Sequence, residues 1–254
     1  MKTVLVSLVL TLLMPAAWPQ QITVAAAADL DYALKDLAGR FERRTGDTVA
    51  LSLGASGSLY SQIQSGAPYD LFFSADTDYP RKLAAAGLLD SSSLRTYATG
   101  RLVLWTTNAS GLDPKKLKMD MLLQPAVQRI AIANPAHAPY GRAAMAALEH
   151  YGLKDRLAAR LVLGENISQA AQFVQSGNAQ AGLIALSLAL SPAMKNAGQF
   201  WELPQEAYPQ IVQSVGIVSA SKHRRAAQAF LDYLSSPEAG ALLEQYGFGL
   251  PSKP

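Results

Sequence analysis

The 254-residue chain contains no cysteine. That excludes disulfide scaffolds, thiolate zinc sites and a cysteine nucleophile. Histidine is scarce too, with three, at 137, 150 and 223. They are too few and too scattered for a histidine-built metal site. Charged residues make up 16% of the chain and sum to only +3. A nucleic-acid binder usually concentrates a basic face, so none is expected as a partner. No P-loop and no G-x-G-x-x-G occurs. Beyond the N-terminal segment no apolar run approaches the ~20 residues that span a bilayer. What is present is apolar: 50% hydrophobic residues exclude a disordered chain. The length fits one large or two small domains.

The first twenty residues stand apart. Met1-Lys2 is a short positive start, Val4 to Met14 is almost unbroken apolar sequence, and Pro15-Ala16-Ala17 follows. This layout reads as a secretory signal peptide over 1–20, cut between about Ala17 and Gln21. The mature chain is expected to be exported and soluble. Without a cysteine after the apolar run, a lipid anchor is excluded.

Strand and helix signals then alternate. Ile22 to Ala26 is β-like, and Leu30, Leu34, Leu37 and Phe41 share one face of a helix. Arg43 and Arg44 sit in its last turn, before Gly46. Val49 to Leu53 and Asp70 to Ser74 read as strands, Ser58 to Ser65 and Tyr79 to Ala86 as helices. After Ser91-Ser92-Ser93 the pattern restarts, with strands at 101–107, 129–133, 161–163 and 181–185. Helices are expected over Gly141 to Tyr151 and Ser168 to Gln175. A final strand, Ile211 to Val218, precedes helices over Arg224 to Leu234 and Pro237 to Tyr246. The alternation indicates α/β architecture with largely parallel sheets. Two crossovers, near 100 and 212, would divide the chain into two lobes: 21–99 with 213–254, and 100–212.

Four strand-to-helix junctions are rich in small or hydroxyl residues. They are Ala27-Ala28-Asp29, Gly54 to Ser58, Pro139-Tyr140-Gly141, and Glu165 to Ser168. Helix N-termini present unpaired N–H groups and a positive dipole end. In open α/β sheets they gather at the carboxyl edge of the strands, where ligands bind. Together they describe a site for a small anion; taken singly, Ser56 and Ser168 are equally ordinary helix caps. A different reading pairs Ser56 with His137 as an exported hydrolase, although Gly54-Ala55-Ser56-Gly57 is not G-x-S-x-G. His150 and His223 read as solvated surface, and Asp76 and Asp78 as caps of a Pro-led helix.

Residues along the whole mature chain resemble the periplasmic molybdate-binding proteins of ABC importers. The stretches are Ile22 to Leu30, Gly54 to Leu59, Gly66-Ala67-Pro68, Asp70-Leu71-Phe72, Ser74-Ala75-Asp76, Asn134 to Gly141, Glu165-Asn166-Ile167, and Tyr246-Gly247-Phe248. The run from Gly66 to Asp76 is the most specific. This resemblance implies a two-lobed type II periplasmic-binding-protein fold, each lobe a mixed, mostly parallel sheet with flanking helices. It implies a monomeric periplasmic receptor, not an enzyme, with no cofactor. Its ligand would be molybdate or tungstate, delivered to a permease and its ATPase. The oxyanion would be held by hydrogen bonds alone, with no residue ligating the metal as a cation. Position by position the resemblance points to Asp29, Ser56, Tyr140, Ile167 and Ala185. Two of these depart from the family pattern. Asp29 stands where Ser or Asn is common, and a carboxylate would repel a dianion; it is expected to cap its own helix, with its N–H facing the ligand. Ala185 stands where some members carry an aromatic hydroxyl; Ser187, on the same strand face, is a substitute. Arg142 is either a further cleft residue or an exposed helix-start arginine. Sulfate, phosphate or a small carboxylate remains an alternative ligand.

Overall fold

The computed structural model describes residues 19–251. The expected signal peptide lies outside the described residues except for its last two. Two five-stranded sheets organise the chain. The first has the order β2-β1-β3-β10-β4, built from β1 (Gln21–Ala27), β2 (Thr48–Gly54), β3 (Leu71–Ser74), β4 (Arg95–Gly100) and β10 (Ile211–Ile217). The second has the order β7-β6-β8-β5-β9, from β5 (Leu102–Thr107), β6 (Ile130–Ala133), β7 (Leu161–Gly164), β8 (Ala181–Ala185) and β9 (Gly198–Glu202).

The two sheets repeat one topology. In each, three neighbouring strands are parallel, and the fourth in order, β10 or β5, runs antiparallel to both its neighbours. Each antiparallel strand is the one that enters from the other sheet. The chain leaves the first sheet at Gly100, enters the second at Leu102, and returns between Glu202 and Ile211.

Helices cover the sheets because their apolar faces demand it. On α1 (Asp31–Thr45), Leu34, Leu37 and Phe41 are buried against the first sheet, together with Leu30 just ahead of it. Each such side chain contributes ~1.5–3 kcal/mol by burial. Gly46 ends the helix at φ 79°, a left-handed conformation that glycine adopts without a Cβ clash. The C-terminal pair α9 (Arg224–Leu234) and α10 (Pro237–Gln245) returns to this same core. There Phe230 meets Phe41 edge-on, with ring centres 5.0 Å apart. The remaining helices are α2 (Ser56–Gln64), α3 (Asp78–Ala85), α4 (Pro114–Leu117), α5 (Pro139–His150), α6 (Lys154–Leu157), α7 (Ile167–Gln175) and α8 (Leu186–Ala189). Among the described residues no helix is long and apolar enough to cross a membrane.

Several elements differ from the sequence reading. Strands β4 and β9 were not anticipated, nor was α8. Helices α2, α5 and α7 begin one or two residues earlier than expected. That shift places Ser56, Tyr140 and Ile167 inside first turns, where N–H groups have no helical partner.

Candidate functional site: a cavity ringed by helix starts

Four chain turns meet between the sheets. Asp29 is the middle residue of a 3-10 turn, Ala28–Leu30, that follows β1. Ser56 opens α2, directly after β2 and Ala55. Tyr140 is the second residue of α5, behind Pro139, whose missing N–H costs nothing there. Ile167 opens α7, whose start is fixed by the Asn166 side chain accepting the Gln169 N–H at 3.0 Å. Asp29, Ser56, Tyr140 and Ile167 all line one small cavity of about 10 Å³, together with Ala28, Ala75 and Pro139. Three helix starts and a 3-10 turn thus converge on one place. Ser56 adds a hydroxyl: its Oγ accepts the Ala75 N–H at 3.0 Å, which leaves its own proton free to donate.

Ala185 is not brought to the cavity. It ends β8, fully buried and paired with Leu102. Ser187 lies not on a strand but in α8. Its hydroxyl donates to the Asp29 carbonyl at 2.7 Å, so it braces the turn from behind and does not face the cavity.

The Asp29 carboxylate does not cap a helix. Neither the 3-10 turn nor α1 has a side-chain cap bond. Instead Oδ2 accepts a hydrogen bond from Gln213 Nε2 at 2.5 Å. Gln213 Oε1 in turn accepts from the Tyr97 hydroxyl at 2.5 Å. The Tyr140 hydroxyl lies 3.4 Å from Gln213 Nε2. Asp29 is 1% exposed, and Oδ1 is buried without a hydrogen-bond partner. Burial pushes its carboxyl up to about 7, only partly offset by hydrogen bonds from Gln213, Tyr140 and its own backbone N–H. The reason a cap fails here is competition: the turn is buried, and a buried amide donor on β10 takes the carboxylate instead. Sequence reasoning missed Gln213 and Tyr97. The available signal was Gln213-Ser214, two polar residues inside the apolar run Ile211 to Val218.

Further hydrogen bonds tie first-sheet elements to second-sheet elements around the cavity. The Gly57 N–H donates to the His137 carbonyl at 2.9 Å. Ser58 donates to Glu165 at 3.1 Å, and Ser168 to the Ala28 carbonyl at 2.9 Å. Arg142 is a partly exposed latch, 2.5 Å from Asp76, with its guanidinium over the Tyr79 ring. The His137 ring engages Glu165, while Ser56 engages Ala75. A serine hydrolase needs a bond between nucleophile and base, and these two residues are committed elsewhere. Asp76 accepts the Tyr79 N–H at 3.1 Å, in keeping with a helix-start role. His223 is half-exposed but bonds the buried Asp70, so it is more than solvated surface.

Chemically, the ring of N–H groups and one hydroxyl suits an anion of compact shape. Among the described residues no group of three or more His, Asp or Glu could hold a metal cation. The sequence pattern of the bacterial extracellular solute-binding protein family matches residues 22–249. The chain belongs to this family. Relatives of the solute-binding chain include the molybdate-binding protein ModA of Azotobacter vinelandii, 40% identical over 94% of each chain. ModA of Rhodobacter capsulatus is 36% identical over 95% of this chain and 93% of that one. Among solved structures, the periplasmic molybdate-binding protein of A. vinelandii superposes with a TM-score of 0.85 at 37% identity. It covers 91% of this chain and 100% of that chain. Both sheets of this solute-binding protein, mixed and flanked by helices, therefore follow the type II architecture expected from its sequence.

Proposed function

We propose that the protein is a periplasmic receptor that captures molybdate, and tungstate by the same donors, between its two lobes and delivers it to an ABC permease and its ATPase. The lobes are 21–99 with 213–254, and 100–212, and the receptor acts as a monomer. One observation carries this reading: Asp29, Ser56, Tyr140 and Ile167 line a single small cavity at helix or turn starts. The named relatives supply the ligand's identity. The oxyanion is held by the N–H groups of these four residues and by the Ser56 hydroxyl. Ala185, away from the cavity, has no part in it, and Ser187 acts only through the Asp29 carbonyl.

Selectivity follows from size and charge. A cavity fitted to the larger tetrahedron leaves the hydrogen bonds of sulfate stretched. Closure of the lobes excludes water and so strengthens every dipole–anion contact. Thermal unfolding with molybdate, tungstate, sulfate and phosphate tests the proposal. Ligand at ~1,000 times its dissociation constant stabilises by about 4 kcal/mol. We expect that shift with molybdate and tungstate; its absence with both refutes the reading. Asp29 keeps a second reading open, because a carboxylate acceptor suits a protonated phosphate. A shift with phosphate and none with molybdate would select it.

A further inference from the structure

The cavity contains one side chain that a ring of helix starts does not require. Asp29 lines it, is fully buried, and sits in a cluster drawn from elements of both sheets. Gln213 comes from β10 and Tyr97, through Gln213, from β4. Tyr140 comes from α5, and Ser187 from α8 holds the Asp29 carbonyl. Ser56 on α2 shares the cavity wall. No member of this cluster offers a positive charge. Gln213, Ser56 and Ser187 do not titrate, and burial keeps both tyrosines as neutral phenols. Tyr208, which bears on Tyr140, is likewise held in its phenol form by burial.

The carboxyl is also shared between the two sheets. Tyr97 and Gln213 flank the two crossovers, at Gly100 and before Ile211, whereas Tyr140 and Ser187 belong to second-sheet elements. Separation of the sheets would therefore return Asp29 to water. Their approach buries it beside whatever anion the cavity holds. A carboxylate there would face a dianion at close range in a low-dielectric space, with no cation between them. A carboxylic acid would instead offer an O–H donor, and Oδ1 has no other partner.

We propose that Asp29 serves this site as a neutral carboxylic acid, so that capture of a fully deprotonated tetrahedral oxyanion takes up one proton and Asp29 sets which oxyanions are accepted. The proposal rests on the oxyanion-receptor reading above. The balance is simple: carboxylate, proton and dianion enter, and the acid hydrogen-bonded to the dianion results. No other bond forms or breaks. An acid donor favours ions that carry no proton. An ionised Asp29 would favour one that does, such as hydrogen phosphate.

The sign of the pH effect follows from linkage. With the sheets apart, the carboxyl is solvated and has an ordinary value of ~3.9. Burial pushes it up to about 7, and a bound dianion pushes it further in the same direction. Between those limits the bound state holds one more proton than the free state. Affinity therefore falls as pH rises, by about tenfold per pH unit.

Isothermal titration of the protein with molybdate tests this, between about pH 5.5 and 7.5, in buffers of different ionisation enthalpy. We expect uptake approaching one proton per anion, and an association constant falling about tenfold per unit. In Asp29→Asn, which keeps an acceptor for Gln213 and supplies a fixed N–H donor, uptake and slope should both vanish. Molybdate binding to the unsubstituted protein with no proton uptake and a flat profile overturns the proposal, whether or not the variant folds. So does a slope that survives in Asp29→Asn, or hydrogen phosphate outcompeting molybdate at pH 8. Failure of all four oxyanions to bind at any pH is a different result: it removes the receptor reading and this inference with it.

Discussion

Ser56 and Asp29 line the same cavity, and each already accepts a hydrogen bond from a protein donor. Ser56 has its acceptor role filled by Ala75, so only its proton is left to offer. Ser56→Ala should therefore do two things. Loss of a hydrogen bond to a charged ligand should cost about 1.5–3 kcal/mol of binding, or at least tenfold in molybdate affinity by calorimetry. The Ala75 N–H would also lose its partner, and a buried unpaired donor costs ~1–3 kcal/mol of stability, visible as a lower melting temperature without ligand. At Asp29 the lesson is about capping. An acidic residue at a helix start is a good cap in an exposed turn. Here the turn is buried, and the carboxylate takes the amide of Gln213, 184 residues away. No local sequence signal carries such a pairing.

Among elements, the helix starts matter more than the helix bodies. Gly57, the second residue of α2, touches α5's approach loop: a Cβ there would lie 2.8 Å from the His137 carbonyl and 2.5 Å from the Tyr79 hydroxyl. Gly57→Ala should hold the two sheets apart. We expect molybdate affinity to fall at least tenfold in calorimetry, with the ligand-free melting temperature changed by only a few degrees, because the backbone clash, with His137, lies between the sheets, and Tyr79 meets the Cβ only with the free end of its side chain. This same scale shows what the sequence made legible. The face Leu30, Leu34, Leu37, Phe41 announced α1, because a long amphipathic helix repeats its signal. Gly46, Gly66 and Gly87 marked helix ends, and all three have positive φ. Strands β4 and β9 escaped because Arg95 to Gly100 and Gly198 to Glu202 are half polar and take their order from pairing partners far along the chain. Helix α8 escaped because four residues carry no period. Of the candidate site residues, those at junctions of strong elements reached the cavity. Ala185 and Ser187 did not, since the unrecognised α8 turns the chain away at that point.

At the scale of the whole molecule, the two sheets meet through apolar packing at Ala27, Ala28, Ala55 and Ala75 and through polar contacts, and the polar contacts are unequal. The Arg142–Asp76 latch is short, but Arg142 is 42% exposed. Exposed ion pairs contribute ~0–1 kcal/mol and are screened by salt. Arg142→Ala should weaken molybdate binding less than about fivefold, with a smaller difference still at high ionic strength, as read by calorimetry across salt concentrations. The buried contacts between Asp29, Gln213, Tyr140 and Ser187 stand in contrast, since no solvent competes for them.

The repeated topology also has a consequence for the order in which the chain can assemble. Each sheet takes in a strand from the far side of a crossover, and for the first sheet that strand is β10. During synthesis β1, β2 and β3 emerge early, yet the edge of β3 stays open until residues 211–217 follow. An unpaired edge invites pairing with other chains. Contacts of such long sequence separation also form slowly. The second sheet faces no such delay, because β5 to β9 are contiguous. The nascent protein would therefore complete its second half first, and its ligand cavity, built from both, would be the last feature to form.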